Sequence, residues 1–71
     1  MILSEIQEGQ TVNVRSIDAG FGMNSRLTAM GILPGIEITV KKNSGRGPIV
    51  VQVKDSKIAL GRGMAHKIEV Q

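Results

Sequence analysis

Arg26-Leu27-Thr28-Ala29-Met30-Gly31-Ile32-Leu33-Pro34-Gly35 places a helix end and a turn side by side. Leu27 and Met30 are three positions apart, so on a helix they share one face. Gly31 can take the left-handed conformation that closes a helix, where other residues meet steric strain. Leu33-Pro34-Gly35 then reads as a tight turn. Proline presets the first central position, and glycine supplies the positive φ needed at the second. The sequence on either side has the pattern of β-strands. The chain is therefore read as a small β-protein with one short helix inserted after its first strand.

Moving towards the N-terminus, Thr11 to Ile17 alternates, with Val12 and Val14 on one face and Asn13 and Arg15 on the other. Leu3 and Ile6 are two apolar anchors ahead of this strand, and Asp18-Ala19-Gly20 ends it. Asn24 or Ser25 is expected to cap the helix. So short a helix is unstable alone, so Met23, Leu27 and Met30 must dock on the sheet.

Beyond the turn, Ile36, Ile38 and Val40 form a second inward row, with Glu37, Thr39 and Lys41 facing out. Asn43 to Gly47 is a loop, and Pro48 opens a third strand with Ile49, Val51 and Val53 inward. Asp55-Ser56 is expected to be a two-residue hairpin turn leading to Ile58 and Leu60. Gly61 to His66 breaks the sheet as a turn or a single 3₁₀ coil, before a last strand through Ile68 and Val70. Five short strands with frequent turns predict a mainly β fold, an SH3-like small five-stranded barrel. No linker or internal repeat divides residues 1–71, which are read as a single domain.

Composition narrows the function. Hydrophobic residues make up 41% of the 71, enough for one core, but Phe21 is the sole aromatic. OB- and RRM-type nucleic-acid readers stack bases on aromatic side chains, and proline-rich peptide grooves are lined by them. Neither activity is expected here. Cysteine is absent, which rules out disulfides and thiolate metal ligands. No signal peptide is read at the N-terminus, and no apolar run approaches the ~18 residues of a membrane span. A cytoplasmic protein is expected.

Catalytic and metal chemistry lack partners. His66 is the single histidine, the acidic residues are scattered, and no nucleophile–base pair stands out. No enzyme activity and no cofactor are expected. His66 with Glu69 would hold at most an adventitious ion, so no dedicated metal site is expected. None of the Gly-x-Gly triplets at 20–22, 45–47 and 61–63 follows a strand and opens a helix with the later Gly or Lys that a phosphate loop requires.

Two surface features remain. The net charge of +3 is uneven, because Lys41, Lys42, Arg46, Lys54 and Lys57 face only Asp55 within residues 41–57. That basic hairpin is read first as an edge whose lysines block sheet-to-sheet pairing, and otherwise as a phosphate-binding patch. Met23, Met30 and Met64, with Leu33, are expected near the junction of the helix and the turn after the fourth strand. Methionine suits adaptable contact surfaces. An apolar strip of this kind beside Arg26 and Arg62 predicts docking on another protein.

Leu3-x-x-Ile6-x-x-Gly9, Arg26-Leu27-x-x-Met30-Gly31-Ile32-x-Pro34-Gly35, Gly47-Pro48-Ile49-x-Val51 and Ile58-Ala59-Leu60-Gly61-x-x-Met64-Ala65-x-x-Ile68-x-Val70 together resemble the FeoA family, ferrous iron transport protein A. The four segments span nearly the whole chain in order. The resemblance implies an SH3-like barrel and a cytoplasmic accessory of the FeoB ferrous-iron transporter, a membrane protein with a cytosolic GTPase domain. It implies contact with the membrane only through that partner. The same barrel also occurs as the C-terminal domain of iron-dependent repressors. No DNA-binding helices precede it here, so a complete repressor is not expected. The segment Gly20 to Ser25 is richer in glycine and poorer in charge than the family pattern.

The resulting expectation is a non-enzymatic adaptor that modulates iron uptake through Arg26, Met30, Leu33, Arg62 and Met64. Charge reversal at Arg26 and Arg62 is expected to weaken binding and leave the fold intact. The alternatives are a small basic nucleic-acid-binding barrel using the five cations of the hairpin, and a stand-alone regulatory domain that dimerises through a strand edge.

Overall fold

The alternation at residues 11–17 becomes β1 (Thr11–Ile17), which pairs antiparallel with β2 (Glu37–Lys42). The computed structural model describes residues 1–71. β2 pairs with β3 (Ile49–Val53) and β3 with β4 (Ser56–Leu60), each antiparallel. β5 (Ile68–Val70) returns to the other side of β1, giving the order β4-β3-β2-β1-β5. The fold is mainly β, an SH3-like five-stranded barrel.

One core holds it together. Val14, Ile38, Val40, Ile49, Val51, Val53, Leu60, Ile68 and Val70 enter from the sheet. Leu3, the first residue of a 3₁₀ turn at Leu3–Glu5, and Ile6, which follows it, join them as the sequence predicts. Register shifts between Val14 and Ser16 and between Val40 and Lys42 mark bulges, which bend strands and add twist. The outer side of β5 is covered by the chain itself. Ile2 bridges Glu69, the Met1 amine donates to the Val70 carbonyl at 3.0 Å, and the Val70 N–H returns a bond to Met1 at 2.7 Å.

The helix, α1 (Phe21–Ala29), buries one residue completely, Leu27, with Met23 and Met30 packed half-buried against the core. Its end follows the predicted pattern. Gly31 has φ +86, its N–H donates to Thr28 at 2.9 Å, and the Ile32 N–H donates to Leu27 at 2.8 Å. These two bonds form a Schellman closure, and Leu27 and Ile32 both lie in the core. The Ile36 N–H then donates to Leu33 at 3.1 Å across Pro34 and Gly35, with Gly35 at φ +95, as in a type II turn.

Three local expectations need correction. The helix starts at Phe21, with Gly20 as N-cap and no side chain capping it. Asn24 lies inside the first turn and acts as a donor, its Nδ2 reaching back to the Ala19 carbonyl at 2.9 Å. The β3–β4 loop is Lys54-Asp55, because Val53 pairs with Ser56. A loop at Asp55-Ser56 would set Lys54 directly opposite Lys57, a repulsive cross-strand pair. The observed register places Gln52 opposite Lys57 and accepts a positive φ of 54 at Lys54 instead. Lastly, residues 62–65 form a single α-turn, α2 (Arg62–Ala65), closed by bonds from Ala65 to Gly61 and His66 to Arg62, both 3.0 Å. Ala65 is fully buried, which seats this turn on the core.

Candidate functional site

Asn43 follows β2 and reaches back to the N-terminal segment. Its Nδ2 donates to the carbonyls of Ser4 at 3.1 Å and Ile6 at 2.8 Å, and its N–H donates to the Glu8 carboxylate at 2.8 Å. Its Oδ1 accepts from the Gly45 N–H at 3.2 Å and from Arg62 Nη2 at 2.9 Å. Arg62 completes the connection from α2, donating through Nε to Gly47 at 3.2 Å and through Nη1 to Ser4 at 3.4 Å. The 3₁₀ turn, the β2–β3 loop and α2 are thus joined through two side chains.

The same corner holds the one histidine. His66 Nδ1 and Ser4 Oγ are hydrogen-bonded at 2.6 Å, with Ser4 buried and His66 exposed. A serine–histidine pair can carry nucleophilic chemistry when a third group orients the base and a cleft holds the substrate. No enclosed pocket opens on this surface, and no three His, Asp or Glu side chains converge. The Ser4 carbonyl accepts from Asn43 and Arg62 while its hydroxyl pairs with His66, so Ser4 ties these three residues together at the corner.

The docking residues expected from sequence separate into two groups. Arg26 and Met30 lie on and just after α1, and Leu33 starts the turn that follows. Arg26 is exposed with no ion pair or side-chain hydrogen bond, Leu33 is 38% exposed, and Met30 is half-buried. Arg62 and Met64 lie on α2, both half-buried. Arg62 is committed to the Asn43 corner, so reversing its charge would also cost stability, unlike the expectation from sequence.

The five cations of the basic hairpin also divide. Lys41 and Lys42 end β2 and Arg46 lies in the loop that follows, whereas Lys54 and Lys57 lie at the opposite end of β3. The length of β3 separates them by roughly 16 Å at ~3.3 Å per residue. All five are exposed and none forms an ion pair.

Sequence reasoning missed Phe21 as a surface residue. It is 88% exposed at the first position of α1, the most exposed of the large apolar side chains. The signal available was helical spacing, since the residues at i+3 and i+4 from Phe21 are the polar Asn24 and Ser25, whereas Met23, Leu27 and Met30 share the core-facing side.

The model of the family described as the FeoA domain matches residues 1–71. The chain belongs to the FeoA domain family. A curated protein of Methanocaldococcus jannaschii, provisionally named Fe(2+) transport protein A, is 45% identical to this FeoA-domain chain over 69 residues, covering 97% of it and 83% of the relative. A crystal structure described as iron uptake regulatory protein (FeoA) superposes with a TM-score of 0.95 at 32% identity, covering 100% of this chain and 95% of that one. Zinc-bound FeoA of Stenotrophomonas maltophilia, described as a prokaryotic SH3 domain protein and a candidate activating factor of ferrous iron transport, superposes with a TM-score of 0.87 at 29% identity, covering 100% and 89%. The likeness to repressors expected from sequence is also found. A manganese-dependent transcriptional repressor matches with a TM-score of 0.85 at 26% identity, but over only 39% of its own length. In the FeoA domain described here, no helix is long and apolar enough to cross a membrane.

Proposed function

We propose that the chain is a non-enzymatic, cytoplasmic accessory of ferrous iron uptake that binds the cytosolic part of an FeoB-type, GTPase-coupled transporter and modulates it. The observation that carries this reading is the match to the FeoA domain along the full chain, together with 45% identity to a relative named for Fe(2+) transport. Physical support comes from the surface around α1. Leu33 and Phe21 expose apolar area that a partner would remove from water, and Arg26 is a cation with no internal partner. Met30 and Met64 add adaptable apolar contacts at the edge of the core. Arg62 acts in this reading by holding α2 and the β2–β3 loop in place.

The test is calorimetric titration of the chain into the purified cytosolic GTPase region, with and without nucleotide. Saturable binding that weakens in Arg26→Glu and Leu33→Asp is the expected result. Binding unchanged by both variants would sink the assigned surface, and no binding in any nucleotide state would count against the cytosolic region as the partner.

A further inference from the structure

We propose that β4 is a strand-addition edge that takes an extended partner segment in which apolar and acidic residues alternate. The two outer strands of the sheet differ. β5 is covered by Ile2 and by the bonds between Met1 and Val70, whereas β4 pairs with β3 alone. The two-residue loop makes Val53 and Ser56 the first hydrogen-bonded pair, so alternation along an antiparallel ladder turns the N–H and C=O of Lys57 and Ala59 away from β3. Neither residue's backbone takes part in any turn, loop or side-chain hydrogen bond, and both residues are exposed. Four main-chain groups thus line an open edge, the arrangement that β-augmentation uses.

The side chains specify the occupant. Ile58 faces the core yet remains only half-buried, so an added strand would cover it with an apolar residue. Lys57 projects on the outer face and Lys54 stands in the adjoining turn, both without an ion pair. An acidic residue across from Lys57 forms a favourable cross-strand pair. A second copy of the chain would instead bring its own Lys54 and Lys57 to the same edge, which is why the occupant is an acidic partner. The proposal stands whether or not that partner is the transporter.

The test uses the full chain and two seven-residue synthetic peptides, one alternating valine with glutamate and one alternating valine with lysine. Amide shifts and hydrogen exchange are followed by NMR. The expected result is slowed exchange at Lys57 and Ala59 with the glutamate peptide, which binds about fivefold tighter than the lysine peptide, a preference reversed by Lys57→Glu. Ala59→Pro removes one outward N–H while leaving the β3 ladder in place, and should abolish the effect. Shifts confined to residues outside 56–60, or a preference unchanged by Lys57→Glu, would overturn the proposal. So would a concentration-dependent doubling of mass with Lys57 and Ala59 amides protected in the absence of peptide, since the second copy would then be the occupant.

Discussion

Arg62 donates from Nη2 to Asn43 Oδ1 at 2.9 Å, while the other end of the same Asn43 amide holds the Ser4 and Ile6 carbonyls. One planar side chain therefore transmits the position of α2 to the N-terminal segment. Asn43→Ala removes both donors and the acceptor, leaving the partly buried Ser4 and Ile6 carbonyls without it. The expected loss is about 2 kcal/mol, and the melting temperature should fall by roughly 10 °C. Thermal denaturation followed by circular dichroism checks this, and a fall under about 2 °C would mean that water replaces the amide at little cost.

Gly31 and Gly22 should respond to alanine with opposite signs. Gly31 sits at φ +86 in the Schellman closure, so Gly31→Ala is expected to destabilise by about 1 kcal/mol. Gly22 is helical, has no positive φ, and a Cβ there meets nothing within 4 Å. Gly22→Ala should stabilise by roughly 0.5 kcal/mol through helix propensity. Urea denaturation of the two variants measures both signs against the parent chain.

Leu27 is the only fully buried residue of α1, so the docking of the helix rests largely on it. Leu27→Ala should cost about 3 kcal/mol. Hydrogen exchange would then show α1 opening ahead of β2 and β3, because a helix this short does not persist undocked. Uniform loss of protection across the chain would instead mean that helix and sheet unfold as one unit.

Phe21→Ala separates fold from function. With the ring 88% exposed, stability should change by less than about 0.5 kcal/mol. If the surface of α1 meets the transporter, affinity for its cytosolic region should drop about tenfold. Calorimetry on both quantities checks the pair, and an unchanged affinity would remove Phe21 from the contact.

Reversing the two arginines should likewise give different outcomes. Arg26→Glu is expected to weaken partner binding at unchanged melting temperature, since Arg26 has no internal bond. Arg62→Glu should lower the melting temperature as well, having lost its bonds to Gly47, Ser4 and Asn43. Parallel melting curves and titrations distinguish them.

Features written into neighbouring residues were legible in the sequence. The alternation of Thr11 to Ile17, the closure at Gly31 and the Pro34-Gly35 turn depend on contacts a few positions long, and each lies where its residue types require. The Lys54-Asp55 loop was not legible because turn chemistry at Asp55-Ser56 is weak, and the observed register, which keeps Lys54 from facing Lys57, depends on the whole β3–β4 ladder. The role of Asn43 was not legible, since its partners Ser4, Ile6 and Arg62 are distant in sequence and meet only once the barrel forms. The same is true of Arg62, whose charge suggested a free surface group. The exposure of Phe21 also ran against composition, because a lone aromatic in a small chain is usually read as core.

The pairing of Val14 with Val70 joins strands nearly a chain length apart, whereas β2, β3 and β4 follow one another through short connections. Those hairpins close small loops and their contacts form at little entropic cost. The β1–β5 ladder must close most of the chain before any of its bonds form, which raises the contact order and slows folding. The three-stranded meander is then the part that assembles early. Substitutions at Ile68 and Val70 are therefore expected to slow folding more than they speed unfolding, which chevron kinetics would measure.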